Sequence, residues 1–473
     1  MKRAEFFFDF GSPASYLAYT QMDGIGKRTG AEIVWRPMLL GGVFKATGNA
    51  SPAMVPAKGK WMNADLARFA QRYGVAFNRN PFFPVNTLVM MRGAAAFEGT
   101  PQFRPYVDAM FKAMWIDQKN EEGGVFVGAF NKKIPIQLIA YDNQSTTATA
   151  ATLYNRLITQ DKVDLLVADS GSILTSVAVP IAREHKMLLI DQNGTGTSFF
   201  SKDNPYIVLT SNPVASRWPQ SLVDFVLKQR DAVGIKRAAL LYSTNDFCAA
   251  EATTVRDRLK EAGIELVYDQ GVPTETSNYT VINNNIKASN PDVVIHFGYP
   301  PNDIAFLRNV QDSGLKFKML FSSYPGMEQE LLTKNVGAAG LNGIFTYVPS
   351  TAVVHPVNFG MNMREFIEMW RKKGAGYHLG LNAVAGYTTG LVLEKALAEA
   401  KSLDQLELRR AIFAQSGKLK TLAGTFELNE EGAQIGMPFA LGQMATKPGA
   451  SESDLVVVYP PEQATGKAVF PAR

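Results

Sequence analysis

The chain has 473 residues, 46% hydrophobic and 19% charged, which excludes a disordered or fibrous protein and implies about two to four domains. Its formal net charge of +5 sits in residues 1–117, which hold 14 Lys/Arg against 8 Asp/Glu, yet no basic run tracks a nucleic-acid backbone. One cysteine (Cys248) excludes a disulfide scaffold, His185, His296, His355 and His378 lack paired metal-ligand spacing, and no apolar window approaches the ~18 residues of a membrane span.

At the N-terminus, Lys2 and Arg3 look like the start of an export signal, but Glu5 and Asp9 interrupt the apolar stretch that would follow. The sequence as it stands reads as cytoplasmic. Ala4–Phe10 is predicted as a strand, followed by a helix over 13–29 and a strand over 31–38. Helices are predicted at Asn63–Tyr73, Val85–Phe97 and Arg104–Trp115, separated by proline-rich turns at Ser51–Pro56 and Asn80–Pro84.

After Gly123-Gly124 strand and helix alternate. Runs of β-branched and aromatic residues predict strands at Ile134–Tyr141, Val163–Ala168, Met187–Ile190, Ile207–Thr210, Arg237–Tyr242 and Ile264–Tyr268. Further strands are predicted at Val293–Phe297, Lys318–Phe321, Gly343–Tyr347 and Leu455–Tyr459. Amphipathic helices separate most of them, among them Leu174–Glu184, Ala215–Val233, Ala249–Ala262 and Asn382–Glu399. Repeated units of this kind predict an α/β fold with parallel sheets covered on both faces. They are too many for one compact sheet, so two doubly wound lobes with a cleft between them follow.

The first strand runs into Gly11-Ser12-Pro13, which places Ser12 at a helix N-terminus and Pro13 at its first position. Ser12 there is either a simple helix cap or a hydroxyl donor to an anion held by free N–H groups. The stretches Glu5-Phe-Phe-Phe-Asp-Phe-Gly-Ser-Pro-Ala-Ser-Tyr-Leu-Ala-Tyr19, Trp35-Arg-Pro-Met-Leu-Leu-Gly-Gly-Val-Phe-Lys-Ala-Thr-Gly-Asn49, Val55-Pro-Ala-Lys-Gly59 and Phe83-Pro-Val-Asn-Thr-Leu88 resemble 2-hydroxychromene-2-carboxylate isomerase, related to kappa-class glutathione transferases. The resemblance implies a thioredoxin-like fold with a helical insertion and glutathione as cofactor. It implies Ser12 as the catalytic residue addressing the glutathione sulfur, with Asn49 and Lys58 around glutathione or substrate carboxylates. On the residues alone, Asn49 equally makes a turn and Lys58 is equally a solvated charge. The family's returning strands and its cis-proline loop have no counterpart after residue 117, so this part reads as a partial thioredoxin-like segment with little or no isomerase activity.

From about Ile116 the signs change. Asp117-Gln-Lys-Asn-Glu-Glu-Gly-Gly124, Ile136-Gln-Leu-Ile-Ala-Tyr-Asp-Asn-Gln-Ser145, Asp164-Leu-Leu-Val-Ala-Asp-Ser-Gly-Ser172 and Pro291-Asp-Val-Val-Ile-His-Phe-Gly-Tyr299 resemble the periplasmic substrate-binding proteins of branched-chain amino-acid ABC importers. That implies a type I two-lobed clamp, an importer permease as partner and a periplasmic location. Small ligands in such folds sit at strand carboxyl ends facing helix N-termini. Ser170 and Ser172 follow one strand, Gly194 and Thr195 the next, and Phe247 and Tyr299 would cover the ligand from the facing lobe. Capping turns and core packing explain the same residues equally well.

These readings place a partial isomerase-like segment at 1–115 and the clamp at 116–473. Lobe 1 would span about 116–211 and 348–437, and lobe 2 about 212–347 and 438–473. The leading function is binding of a small carboxylate or amide, with no nucleic-acid partner. A glutathione-dependent isomerase impaired by truncation and a fusion without function are the alternatives. The two resemblances meet within one predicted helix, Tyr106–Asn120.

Overall fold

The computed structural model describes residues 2–52, 55–80, 83–117, 124–372 and 379–471. His378 and residues 118–123, including the end of the predicted helix Tyr106–Asn120, lie outside them. The chain divides into two compact units, Met1–Phe126 with Lys132–Gln137, and Val127–Asn131 with Leu138–Arg473.

In the first unit, strands Arg3–Phe8 and Glu32–Pro37 pair in parallel, with Phe6 opposite Trp35. The helix between them, Pro13–Thr29, starts at Ser12, whose side chain accepts the Ser15 N–H, and stops at Gly30 in the left-handed region (φ 64°). Helices Leu40–Thr47, Pro56–Tyr73, Leu88–Phe97 and Phe103–Trp115 follow. Their apolar faces close one aromatic core. Phe111 is fully buried, its ring 5.0 Å from Phe10, 4.6 Å from Tyr19 and 5.7 Å from Phe8. Asp9 is buried under the first strand and is satisfied by Thr87 Oγ1 (2.6 Å) and the N–H groups of Gly11 and Leu40.

The second unit is built on two main sheets, besides a two-stranded pair of Lys420–Thr421 with Gly424–Thr425. The smaller has three parallel strands in the order Leu166–Val167, Leu189–Asp191, Ile207–Leu209. It packs with helices Thr147–Thr159 and Ser172–Glu184 in the small lobe. The larger has seven strands in the order Asp454–Tyr459, Leu441–Ala445, Phe345–Tyr347, Met319–Ser322, Val293–Phe297, Arg237–Ser243, Glu265–Val272. Val293, Val294 and Ile295 are all fully buried, as expected where helices cover both faces of a sheet.

Three sequence expectations need correction. The sheets are not wholly parallel, because Leu441–Ala445 runs antiparallel to both its neighbours. The helix expected over Ala215–Val233 is a 3-10 turn, Ala215–Arg217, and a separate helix, Gln220–Val233, interrupted at Pro219, which has no N–H to continue the ladder. Of the strand expected over Ile134–Tyr141, only the first residue is extended, in Lys132–Ile134. Pro135 interrupts the run, and among the described residues the small sheet ends at Leu166–Val167 with no further strand for it to pair with. Ile136 and Leu138 are consequently exposed, Leu138 at 85%.

Candidate functional site

The wall of the small lobe is built where its strands end. After Leu166–Val167 the chain turns through Gly171, whose φ of 94° only glycine adopts without strain, and enters the helix at Ser172. The helix thus begins two residues earlier than its apolar periodicity suggests, and Ser172 lies in the first turn. The Ser172 hydroxyl accepts the Gly196 N–H at 3.0 Å, tying this turn to the loop after the next strand. Ser170 Oγ donates to Asn382 Oδ1 (2.8 Å) and accepts from Asn193 Nδ2 (2.9 Å). Asn193 Oδ1 in turn accepts from Asn212 Nδ2 (2.7 Å). The result is a row of neutral amide and hydroxyl groups.

Beneath this row lie two carboxylates. Asp191, fully buried, accepts from the N–H groups of Gly194 (2.7 Å) and Asn193 (3.0 Å), and its Oδ2 has no hydrogen-bond partner among the described residues. Burial pushes its pKa up to about 7, opposed by those N–H groups and helped by the nearby Asp169. Gly194 therefore spends its N–H on Asp191, and a Cβ there would strike Thr175 Oγ1 and Asp191 Oδ2, so its place in the loop is set by packing. Thr195 is buried, and its carbonyl accepts the Ala215 N–H at 2.7 Å.

The wall of the large lobe is aromatic. Asn245 caps the helix Asp246–Glu261 through the Cys248 N–H. On that helix Phe247 packs its ring 4.8 Å from Trp218 and 5.8 Å from Tyr299. At the start of the helix Pro300–Ser313 the Tyr299 N–H donates to Asn302 Oδ1 (3.1 Å), and the Tyr299 ring stacks 6.3 Å from Tyr324. Burial raises the pKa of the Tyr299 phenol, opposed by the nearby Ser172 on the other wall. A link between the walls runs from Ser198 Oγ to Asp246 Oδ2 at 3.0 Å. The structure thus brings Ser172, Phe247 and Tyr299 together, and Ser170, Gly194 and Thr195 line the loops behind them. A groove of about 460 Å³ along the helices Pro300–Ser313 and Gln329–Val336 includes none of these residues.

Asn193, Asn212, Asn382 and Glu251 join these walls without having been singled out from the sequence. For Glu251 a signal existed: it lies four residues after Phe247 and so on the same helix face. Asn382 lies 189 residues from Asn193, and nothing local announces their hydrogen bond.

In the first unit Ser12 is partly buried and its hydroxyl oxygen faces the Ser15 N–H at 3.2 Å. Asn49 is exposed, its side chain accepting the Ala50 N–H (2.8 Å) in the turn after Gly48. Lys58 is exposed on the first turns of Pro56–Tyr73. Among the described residues no three His, Cys, Asp or Glu are placed to hold a metal ion, and no helix is long and apolar enough to cross a membrane.

The family model of a periplasmic binding protein matches residues 93–450, and that of a DSBA-like thioredoxin domain matches residues 3–133. A Leu/Ile/Val-binding protein homolog of Brucella melitensis is 23% identical over 253 residues, 50% of this chain and 63% of the relative. The chain therefore spans less than two thirds of that relative's length. The 2-hydroxychromene-2-carboxylate isomerase of Sphingobium xenophagum is 35% identical over 119 residues, 24% of this chain and 58% of the relative. Among solved structures, a leucine-binding protein from Thermotoga maritima matches with a TM-score of 0.58 at 18% identity, over 69% of this chain and 89% of that one. A solute-binding protein from R. palustris in complex with benzoate matches with a TM-score of 0.54 at 18% identity, over 71% and 88%. At such identities the structural likeness speaks for the fold alone. With a DSBA-like thioredoxin match at its N-terminal end and the larger match over most of its length, the chain belongs to the periplasmic binding protein family.

Proposed function

We propose that the second unit binds a small organic solute, a carboxylate or an amide, between its two lobes and serves an ABC importer whose permease it docks on in the periplasm. The observation that carries the reading is that the two walls face each other, joined where the Ser198 hydroxyl donates to Asp246 at 3.0 Å, beside the helix start at Ser172 and the aromatic wall of Phe247 and Tyr299. A helix N-terminus with adjacent hydroxyl and amide groups suits a carboxylate or amide oxygen, and an aromatic cover excludes water from it. In this reading Ser170, Ser172, Gly194 and Thr195 hold the polar end of the solute and Phe247 and Tyr299 its apolar part. The lobes divide at about residues 211, 347 and 437. The relatives whose names mention leucine and benzoate support small carboxylates as the first candidates.

The test is a thermal-shift screen with branched-chain and aromatic amino acids, small amides and aromatic carboxylates. A solute at about 100 times its dissociation constant stabilises the folded state by about 2.7 kcal/mol. X-ray scattering should show compaction with the same solute. No shift with any of them would overturn the reading.

A second reading concerns the first unit and rests on the 35% identity to the isomerase together with Ser12 at a helix N-terminus. There Ser12 would address a glutathione sulfur, with Asn49 and Lys58 nearby. A stabilisation by glutathione that Ser12→Ala removes would support it.

A further inference from the structure

Asp303, fully buried in the first turn of the helix Pro300–Ser313, ties two tyrosines of the aromatic wall to each other. Its N–H donates to the Tyr299 carbonyl at 3.0 Å, and its carboxylate Oδ2 accepts the Tyr324 N–H at 2.7 Å. The other oxygen, Oδ1, lies 2.9 Å from His296 Nδ1, within ion-pair distance though off the line of a hydrogen bond. His296 is fully buried too, its ring lying on Phe306 at 4.2 Å and edge-on to Tyr279 at 5.7 Å. Gly298 keeps that place open, since a Cβ there would come within 2.9 Å of the His296 ring.

Enclosing two such polar side chains is costly, and apolar residues of the same volume often serve stability as well. What the pair supplies is a fixed geometry. The strand Val293–Phe297 carries His296, the helix carries Asp303, and the loop after the strand Met319–Ser322 carries Tyr324. One carboxylate joins all three, and the Tyr299 and Tyr324 rings stand stacked at 6.3 Å with 28° between their planes. Thr346 holds the same loop from its far side, accepting the Gly326 N–H at 3.0 Å and donating to the Ser323 carbonyl at 3.1 Å. The Tyr324 N–H is left to Asp303.

We infer that Asp303, backed by His296, is a positioning residue of the proposed clamp. It sets the spacing of Tyr299 and Tyr324, and thereby the selectivity for a flat aromatic solute over a branched aliphatic one. The inference rests on the clamp reading of the second unit and adds to it the group that decides which apolar part is accepted. Stacked ring faces favour a further ring, and that gain depends on ring spacing and tilt. An aliphatic chain needs only apolar area, which survives a displaced ring.

The experiment is titration calorimetry on the full chain, with benzoate and phenylalanine as aromatic probes and 4-methylpentanoate and leucine as aliphatic ones. Amide exchange of the segment Ser322–Met327 is read alongside. Asp303→Leu should speed exchange of the Tyr324 N–H at least about tenfold and weaken the aromatic probes about fivefold more than the aliphatic ones. Asp303→Asn, whose side chain still accepts the Tyr324 N–H and donates to His296, should restore both. Asp292→Ala removes a carboxylate that holds the Lys236 and Arg237 N–H groups at the opposite end of the strand Val293–Phe297, and should lower stability without changing either readout. If Asp303→Leu does not fold, Gly298→Ala, which displaces His296, should give the same two changes in smaller measure. Equal weakening of aromatic and aliphatic probes, or an unchanged Tyr324 exchange rate, would overturn the inference while the clamp stands. Asp303→Asn behaving like Asp303→Leu would do the same. No binding by any probe would overturn both readings.

Discussion

Ser170 Oγ donates to Asn382 Oδ1 at 2.8 Å, joining a strand-end loop to the start of the helix Leu381–Glu399 across 212 residues of sequence. Asn193 donates to both, so the three side chains hold one another in a fixed arrangement on the wall of the small lobe. Ser170→Ala removes two hydrogen bonds from a partly exposed site. The expected cost is about 1 kcal/mol in urea unfolding, together with a loss of solute affinity larger than that stability change implies. Equal losses in both would make the trio purely structural.

Asp191 should make stability depend on pH. Its folded pKa, about 7, is raised from an ordinary 3.8 by burial, so the folded state holds the proton more tightly than the unfolded one. The fold is therefore favoured below about pH 4, and this contribution is lost as pH rises through about 7, a difference on the order of a few kcal/mol. Asp191→Asn should be more stable than the parent chain at pH 8 and flatter between pH 5.5 and 8. Guanidinium unfolding at the two pH values measures this, and an unchanged slope would show that another group carries the dependence.

Ser12 caps its helix through the Ser15 N–H. Ser12→Ala should cost about 1 kcal/mol, seen as faster amide exchange in the first turn of Pro13–Thr29. Ser12→Asp, which keeps a capping acceptor and adds a favourable charge at the helix N-terminus, should restore protection.

Phe111 contacts four rings of the first core. Phe111→Ala should cost about 3–5 kcal/mol, and hydrogen exchange in the strand Arg3–Phe8 should rise with it. Phe111→Leu, which retains most of the volume, should be milder.

Much of the architecture was legible in the residues. Val293–Phe297 is apolar except for His296 and is a central strand. Ser12-Pro13 opens a helix and Gly30 closes it. The site was legible only in part. Ser170, Ser172, Gly194 and Thr195 follow strands and precede helices, a position that local spacing reveals. The groups that complete the walls come from distant segments, as Asn382 and Tyr347 do, and no local pattern ties them to Ser170 or Glu251.

The sequence by itself determined the alternation of strand and helix, the ends of most of the helices it predicts, and the change of character near residue 116, because propensity, capping and periodicity act over a few residues. Tertiary structure decided the rest. Leu441-Gly-Gln-Met-Ala445 has weak strand propensity, yet it is a strand because Phe345–Tyr347 and Asp454–Tyr459 both offer it hydrogen bonds. Residues 136–141 have the stronger propensity and are not a strand: Pro135 interrupts the run, and among the described residues they pair with no strand. A sheet forms where backbone donors and acceptors meet, and Glu251 turns from a surface charge into a buried one only because Tyr347 and its neighbours close over it.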